Sequence, residues 1–331
     1  MRDGMDQHGY HDGPRLLADI GGTNARFALE TAPGLIEGSV TLACADFPQL
    51  ADAARAYLAA QSHIHVRHAV FAIANPVDGD LVAMTNHHWR FSIAATRASL
   101  GLVTLHVVND FAALAMALPA LGQNASTQVG GGVAQPDATI GLLGAGTGLG
   151  VAGLLRCGGT WQVLPSEGGH TAFAPMDTRE QAILYFCWQR YPHVSTERLV
   201  SGPGLVLIHE ALAAQAGTAW TPLTSAQVIA RGLAGDPLCR ETLDCFCAML
   251  GTAAANLAVT LGARGGIYIG GGIVPRLGDW FADSPFRARF EHKGRFSGFT
   301  ANIATRVITA PYPALLGAAA VLDQHLNEVH A

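Results

Sequence analysis

The sequence has few charges and no cluster of one sign. Only 14% of its 331 residues are Asp, Glu, Lys or Arg, and half are hydrophobic. The net charge is −5, with no dense run of Lys and Arg, so we expect neither nucleic acid nor a membrane surface as a partner. The composition is typical of a globular protein with large buried cores, and the length suffices for two domains of ordinary size.

Metal-binding cysteine patterns are also missing. The six cysteines are Cys44, Cys157, Cys187, Cys239, Cys245 and Cys247. No two of them have the C-x₂-C spacing of a structural zinc site, and the C-x-C pair at 245 and 247 is too tight for one. With no apolar leader segment at the N-terminus either, we expect buried, reduced thiols in a cytoplasmic protein.

Long hydrophobic runs are rare. The longest, residues 246–263, contains Asn256 and two threonines and is rich in alanine and glycine. We interpret it as a buried core helix rather than a membrane span. Residues 1–14 carry His, Asp and Gly without apolar periodicity, which predicts a disordered extension.

A glycine turn between two apolar runs stands near the start of the sequence. Residues 16–20 are followed by Gly21 and Gly22, and the apolar pattern resumes at residues 26–29. This pattern predicts a β-hairpin. Glycines can adopt positive φ, so successive backbone N–H groups of the turn could face a phosphate.

Polar side chains flank this turn. Thr23 and Asn24 add donors at its edge. Asp19 ends the first strand, where its carboxylate could hold a hydrated Mg²⁺ beside the phosphates. Taken alone, the same residues are also explained by a glycine hairpin in which Asp19 has no function.

Strands alternate with helices through the rest of this half. Residues 35–42 and 68–74 have strand patterns, and residues 47–61 have helical spacing. The alternation indicates an α/β domain with a mixed sheet.

Two places in this half carry polar groups suited to a sugar. The loop at 76–90 has Asn86 near Trp89; an amide offers a donor and an acceptor to hydroxyls, although a loop with a packed Trp explains the same residues. A later strand ends in Asn109 and Asp110, where functional groups of open α/β sheets gather. Asp110 could accept a proton from an attacking hydroxyl while Asn109 holds a neighbouring one, or Asp110 could cap the next helix.

The strand, glycine turn and strand pattern recurs at residues 142–152. Gly144, Gly146 and Thr147 occupy the turn region, and the residue types follow those of the opening stretch with one residue missing. The repeat predicts two structurally related halves, each offering a phosphate-binding turn. It is not a Rossmann fingerprint, which places a helix after the glycines, nor a P-loop, since no Gly-Lys-Ser/Thr follows.

Three further polar residues are candidates for sugar contacts. Glu167 and His170 flank a glycine pair that leaves both side chains free to face one pocket. A carboxylate can accept two hydroxyl protons, and a neutral imidazole can donate or accept one. Glu197 could join them, or could be an ordinary acid in the first turn of a helix.

The last motif is an apolar strand that ends in Gly270, Gly271 and Gly272. Glycines there would let a flat ring approach the backbone, so we expect the adenosine side of a nucleotide site. The basic stretch at 286–299, with Arg287 and Arg289, is expected to be a solvated face.

Together these blocks resemble the bacterial glucokinase family of the hexokinase/actin/Hsp70 superfamily, over residues 15–325. They occur in the family's order at residues 19–26, 85–89, 108–111, 144–150, 167–170, 197–204, 270–276 and 293–296. Ser166 departs from the family, in which glycine is common at that position, and the N-terminal extension is unusual. Neither departure touches the expected chemistry.

For the fold, the resemblance implies two actin-like (RNase H-like) α/β domains around a central cleft. We expect a disordered extension at 1–14, a small α/β domain at 15–120 plus 311–331, and a large α/β domain at 121–310. The resemblance also suggests a homodimer.

For the activity, it implies transfer of the γ-phosphoryl group of ATP to the 6-hydroxyl of glucose, with Asp110 as the catalytic base. The residues implied to bind the sugar are Asn86, Asn109, Asp110, Glu167, His170 and Glu197. Those implied to bind ATP are Ala18, Asp19, Ile20, Gly21, Gly22, Thr23, Asn24, Gly144, Gly146, Thr147, Gly270, Gly271 and Gly272. Mg²⁺ is expected on Asp19 through water.

Other readings stay open. The substrate could be another hexose, such as mannose or fructose, because discrimination depends on pocket shape at single hydroxyls. A non-catalytic sugar-binding regulator would lack the base or a phosphate turn. An actin- or Hsp70-like ATPase acting on a protein would not need the sugar-binding set.

Overall fold

The computed structural model describes residues 9–61, 64–85, 87–218 and 220–330. Contacts divide the chain into two compact units, which we name the first unit (Met1–Leu121 with Pro311–Ala331) and the second unit (Gly122–Ala310). Both units combine strands and helices, which confirms the predicted mixed α/β class.

The strands of the described residues are β1 (Arg15–Ile20), β2 (Asn24–Ala32), β3 (Leu35–Ala43), β4 (His68–Ile73), β5 (Leu81–Ala83), β6 (Arg90–Ser92), β7 (Thr104–Asn109), β8 (Ser126–Val129), β9 (Ile140–Ala145), β10 (Leu149–Cys157), β11 (Thr160–Ser166), β12 (Ile267–Gly270) and β13 (Thr305–Ile308). The α-helices are α1 (Leu50–Ala60), α2 (Ile93–Ser99), α3 (Asp110–Ala117), α4 (Thr178–Trp188), α5 (Thr196–Leu199), α6 (Gly202–Gln215), α7 (Ser225–Leu233), α8 (Pro237–Leu261), α9 (Val274–Leu277), α10 (Trp280–Asp283), α11 (Phe286–Glu291), α12 (Ser297–Ala301) and α13 (Pro313–His330).

The first unit is built on a sheet with the strand order β3-β2-β1-β4-β7. Strands β1 and β2 form the predicted antiparallel hairpin, and β4 and β7 continue the sheet in parallel to β1. All six residues of β4 are buried, as expected for a central strand covered on both faces. A small separate hairpin, β5–β6, lies in the region predicted to be a loop.

Alternate residues of β1 serve two different cores. Leu16 and Ile20 belong to a cluster on one face of the sheet. Leu17 belongs to another, which includes Leu315 and Leu322 of α13. This period of two is the side-chain alternation of a strand, and it anchors the C-terminal helix on the sheet that the N-terminal strand begins.

The second unit repeats this arrangement. Its sheet has the order β11-β10-β9-β12-β13-β8. Strands β9, β10 and β11 form an antiparallel meander, and β12 and β13 then run parallel to β9. The first five positions therefore match the first unit in order and direction, which confirms the predicted internal repeat; β8 is an added edge strand.

The longest helix, α8, lies in the core of the second unit. It begins at Pro237, earlier than predicted, where the Asp236 side chain accepts a hydrogen bond from the N–H of Cys239, and it is followed by left-handed Gly262 (φ 61°). Proline at N1 and glycine after the last turn are typical helix ends. Among the described residues, α8 alone is long and apolar enough to span a membrane, and 72% of its apolar window is buried inside the protein.

All six cysteines are free, and five of them are buried. Burial raises the pKa of the Cys245 and Cys247 thiols to about 12, so these thiols are chemically inert near neutral pH. Cys157 is exposed, contrary to the expectation that all the thiols are buried.

The N-terminal segment makes specific contacts. The Arg15 guanidinium lies 3.8 Å from the centre of the Tyr10 ring, and Asp12 Oδ2 lies 2.8 Å from His68 Nε2. The prediction of a disordered extension did not anticipate these contacts of residues 9–14. Residues 1–8 of that extension lie outside the described part of the chain.

The expectation of a solvated basic face at 286–299 is wrong for Arg287. Its Nη1 donates to the Ile303 carbonyl (2.9 Å) and to Thr305 Oγ1 (3.1 Å), and its Nη2 donates to the Ala301 carbonyl (2.9 Å). Its Nε donates to Glu291 Oε1 at 2.6 Å. The side chain is 9% exposed, so this guanidinium is an internal cross-link of the second unit.

Arg289 is also engaged. It donates to Glu180 Oε1 (2.6 Å) and Asp177 Oδ2 (2.9 Å), which belong to the start of α4. Of this stretch, Arg295 is exposed as predicted.

Arg287→Met should lower the free energy of unfolding of the protein by about 3 kcal/mol, because it leaves buried carbonyl oxygens without their donor. Urea denaturation measures this loss. Arg295→Met is the matched control, since exposed substitutions usually change stability by less than about 0.5 kcal/mol. Equal midpoints for the two variants would contradict the assignment of Arg287 as a cross-link.

Candidate active site

The first polar group of the site is Asp19, near the end of β1. Its carboxylate lies 3.3 Å from the Arg26 guanidinium, which is opposite it in the hairpin. Arg26 also lies over the ring of Tyr312, 4.0 Å from its centre. Burial raises the pKa of Asp19, and Arg26 acts against that shift.

The turn that follows Asp19 closes without left-handed glycines. Gly21 N–H donates to the Asn24 carbonyl at 2.9 Å, but neither Gly21 nor Gly22 has positive φ, so that detail of the prediction is wrong. Thr23 and Asn24 are exposed in the turn, where their polar groups can meet a ligand. Ala18 and Ile20 are fully buried in β1, so only their backbone groups could contact a ligand.

Asn109 and Asp110 lie where β7 passes into α3. Asn109 is the N-cap, and its Oδ1 accepts hydrogen bonds from the N–H groups of Phe111 (2.9 Å) and Ala112 (3.1 Å). Capping therefore belongs to Asn109, and the alternative that Asp110 is the cap is wrong. Asp110 is the first helical residue, and its Oδ1 accepts from Phe111 N–H at 2.8 Å.

The environment of Asp110 makes it a stronger base than a free carboxylate. Burial raises the pKa of Asp110 to about 6, the hydrogen bond from Phe111 N–H lowers it, and the nearby negative charge of Asp19 adds to the rise. A base with a pKa near the working pH is both ionised and able to take a proton, which suits general-base catalysis.

One polar residue beside this pair was not identified from the sequence. Asn75 follows β4, and its carbonyl oxygen accepts from Asn109 Nδ2 at 3.4 Å. Its side-chain oxygen accepts from Thr85 N–H (3.0 Å) and Thr85 Oγ1 (2.6 Å). The signal was its place at the carboxyl end of a parallel strand, where Ile73 pairs with Asn109.

The loop after Asn75 contains two residues singled out in the sequence. Asn86, a predicted sugar ligand, lies outside the described residues. Trp89 is 1% exposed, and its Nε1 donates to the Phe47 carbonyl at 3.0 Å. The packed-Trp alternative is therefore confirmed for Trp89.

In the second unit, the three predicted polar residues lie together. His170 Nε2 is 3.9 Å from Glu167 Oε2, and His170 Nδ1 is 4.0 Å from Glu197 Oε1. Glu197 Oε2 accepts from Leu149 N–H at 2.8 Å, which fixes this carboxylate at the start of β10. Glu167 and His170 are mostly exposed, so their polar atoms are free to meet a polyol.

Backbone geometry holds this cluster. Gly168–His170 form one 3₁₀ turn directly after Glu167. A Cβ at Gly169 would lie 2.2 Å from the Leu149 carbonyl oxygen, so glycine is required there. Thr196 N–H donates to the Thr171 carbonyl at 2.8 Å, which joins the turn to the helix that carries Glu197.

A pocket of about 580 Å³ lies beside the second glycine turn. It is lined by Gly146, Thr147, Gly202, Pro203, Val206, Ser225, Gly272, Ile273 and Arg276. Three of the predicted nucleotide residues, Gly146, Thr147 and Gly272, are among them. Gly144 and Gly270 instead pair with each other inside the sheet.

The sequence did not single out the other walls of this pocket. The N-terminus of α6 contributes Gly202, whose N–H donates to the Gly146 carbonyl at 2.7 Å. Gly271, a predicted nucleotide-binding residue, is not among the residues that line the pocket. Its φ is 81°, and a Cβ there would lie 2.4 Å from the Ala145 carbonyl oxygen. The first N–H groups of α6 are already donated, Gly202 to the Gly146 carbonyl and Gly204 to Ser201 Oγ. The helix dipole and the Arg276 guanidinium are therefore what favour a negatively charged ligand such as a nucleotide.

Within the described ranges there is no group of three or more His, Cys, Asp and Glu side chains that could hold a metal ion. The predicted Mg²⁺ contact, Asp19, is therefore not part of such a group. One carboxylate is a donor set that Mg²⁺ uses when phosphates and water complete its coordination.

Comparisons with known proteins agree with the sequence resemblance. A family model described as Glucokinase matches residues 16–325. The glucokinase of Chromobacterium violaceum is 58% identical over 314 residues, covering 95% of this chain and 90% of that protein. A bifunctional protein of Burkholderia pseudomallei is 57% identical over 317 residues, 96% of this chain, and the chain spans about half the length of that relative.

Among solved structures, the glucokinase of an Antarctic psychrotroph superposes with a TM-score of 0.87 at 39% identity. The match covers 95% of this chain and all of that one.

Asp110→Asn should raise the free energy of unfolding at pH 8 by about 2 kcal/mol and change it little at pH 4. The raised pKa means that the folded chain binds this proton more tightly than the unfolded chain does. The wild-type protein therefore loses the stabilising contribution of this group as pH rises from about 4 to about 6. The asparagine amide carries no charge at either pH, so the variant does not undergo this loss. Urea denaturation at both pH values measures the effect.

Asp78→Asn, in an exposed turn, is the control for this measurement and should leave stability unchanged at both pH values. An Asp110→Asn protein that is no more stable than wild type at pH 8 would show that the carboxylate is well solvated.

Proposed function

The chain belongs to the glucokinase family, and from that premise we propose that it transfers the γ-phosphoryl group of ATP to the 6-hydroxyl of glucose. The observation that carries the proposal is the partly buried Asp110 carboxylate directly after β7, with its pKa raised to about 6. Neither a sugar-binding regulator nor a protein-directed ATPase requires a base tuned in this way.

In this proposal, Asp110 accepts the proton of the 6-hydroxyl as that oxygen attacks the γ-phosphorus. Asn109, whose Oδ1 is occupied by capping, offers its amide N–H to a neighbouring hydroxyl. Glu167, His170 and Glu197 bind the remaining hydroxyls; their mutual distances near 4 Å suit a polyol that bonds to more than one of them. Asn86 keeps its predicted place in the sugar-binding set.

We assign the nucleotide to the two glycine turns and the pocket beside the second one. The pocket of about 580 Å³ is large enough for an adenosine. The Gly22 backbone N–H and the exposed side chain of Thr23 are the groups offered to the phosphates. The N–H groups of Gly21 and Gly146 are donated within their own turns, to the carbonyls of Asn24 and Gly148, and shape those turns. Hydrated Mg²⁺ held by Asp19 would offset the charge of those phosphates.

Each unit is assigned to the actin-like ATPase fold, which the shared strand order supports. Glucose and ATP are the partners that this site supports. The cytoplasmic location and the homodimer implied by the resemblance remain predictions.

Asp110→Asn should lower kcat by about 10²- to 10⁴-fold, the usual contribution of a general base, and change the KM for glucose only a few-fold. A coupled assay of glucose-dependent ADP formation measures both constants. In the wild type, kcat/KM should fall below about pH 6 as Asp110 becomes protonated.

Asp78→Asn is again the control, with unchanged kinetics. Near-normal turnover of Asp110→Asn would remove Asp110 as the base, and wild-type ATP consumption indifferent to glucose would remove the proposed activity. The same assay with mannose and fructose determines which hexose is preferred.

Gly148→Ala should raise the KM for glucose about tenfold, and by more than it raises the KM for ATP. A Cβ at this position would lie 2.4 Å from Glu197 Oε2, so the carboxylate must leave its hydrogen bond to Leu149 N–H. A charge-assisted hydrogen bond of this kind contributes about 1.5 kcal/mol, which corresponds to roughly tenfold in affinity.

Gly131→Ala is the matched control, because a Cβ there would meet nothing within 4 Å. If Gly148→Ala binds glucose as the wild type does, Glu197 does not hold the sugar in the orientation seen here.

A further inference from the structure

Helix α3, which begins at Asp110, meets α13 at a point where only glycine fits. A Cβ at Gly317 would lie 1.6 Å from the Ala113 carbonyl oxygen and 2.9 Å from the Ala117 nitrogen. Ordinary contact begins at about 3.4 Å. Because the obstacle is backbone and not a flexible side chain, a single methyl group would force the two helices apart by on the order of 2 Å.

Helix α13 is the less able of the two to move. Leu315 and Leu322 are buried against Leu17 and Val70 of the central strands, and Asp323 pairs with Arg15 at the start of β1. A helix fixed along its length by a sheet cannot retreat without opening that core. The shorter α3 would therefore take up the displacement.

Asp110 lies at the end of α3, one helical turn before Ala113. A displacement of the helix at Ala113 is carried to Asp110, because a helix moves as a rigid element. Misplacement of a reacting group by about 1 Å can reduce a rate by about a hundredfold.

From this contact we propose that Gly317 is a positioning residue for the reaction. By allowing α13 to touch the backbone of α3, it determines where the Asp110 carboxylate lies. The proposal rests on the function proposed above, in which Asp110 is the base. Gly317 itself touches no reactant.

A displacement of α3 should also change the pKa of Asp110. Burial is the main reason for the raised pKa of this carboxylate. An α3 that has moved away from α13 should let water reach Asp110, so its pKa should fall toward the ordinary value of 3.8. A variant at Gly317 would thus change the pH profile as well as the rate.

The test compares Gly317→Ala with Leu322→Ala in the full-length chain. Gly317→Ala is expected to lower kcat about a hundredfold, to leave the KM for ATP unchanged and to move the acidic limb of the pH–rate profile below pH 6. Leu322→Ala destabilises the same helix from its other face, so it should lower the thermal midpoint at least as much while keeping kcat within a few-fold and the acidic limb in place.

If the two variants lose kcat in proportion to their loss of thermal stability, with the acidic limb unmoved, Gly317 is only structural and the proposal is overturned. If wild-type ATP consumption does not depend on glucose, the proposed function fails instead. Faster amide exchange of α3 in Gly317→Ala than in Leu322→Ala would still report the displacement of the helix in that event.

A second variant tests the proposal in case the Gly317→Ala protein does not fold. Ala117→Ser adds a hydroxyl that can bond back to the carbonyl of Ala113, four residues earlier, and so fills the same contact with a smaller atom. About a tenfold loss of kcat with the acidic limb moved to lower pH supports the positioning role. Wild-type kcat and an unmoved limb contradict it.

Discussion

The structure depends on partly burying the Asp110 carboxylate without giving it a full counter-charge. Arg26 lies against Asp19, not against Asp110. The helix N-terminus supplies Asp110 with one N–H, from Phe111. Burying a charged carboxylate costs free energy. The arrangement is maintained because the elements around Asp110 are fixed: β7 precedes it, Asn109 caps the helix beside it, and α13 packs against the rest of α3. Proteins commonly accept such local instability where a reactive group is needed.

Much of the fold could be predicted from the sequence because its signals are local. The β1–β2 hairpin, the strand β4 and the helix α1 each have a residue pattern that a short stretch of sequence displays. The internal repeat could also be predicted, because both hairpins place glycines between apolar runs. Each of these inferences uses only residues that are close together in the sequence.

The features that could not be predicted depend on contacts between residues that are far apart in the sequence. The other basic residues near Arg287 in the sequence are typical of a surface. Its hydrogen-bond partners, at Ile303 and Thr305, lie 16 and 18 residues later in the chain and are buried. Asn75 was taken only as the end of a strand, since its neighbour Asn109 lies 34 residues later. The alternative that Asp110 caps α3 was wrong, because Asn109 directly before it is an equally good cap and takes that position. The glycine pair predicted that Glu167 and His170 could face one pocket, with Glu197 as a possible third member, but only coordinates gave the distances between them.

The first unit is discontinuous in the chain, since Pro311–Ala331 completes what Met1–Leu121 begins. During synthesis, the sheet that contains Asp19 therefore cannot complete its core until α13 has left the ribosome. Until then Leu17 and Val70 stay uncovered. The second unit is continuous and has no such delay, and domains generally form as units while the chain emerges. The half with the proposed nucleotide pocket should thus mature first, and the half with Asp110, the proposed base, should be the one that nascent-chain chaperones shield.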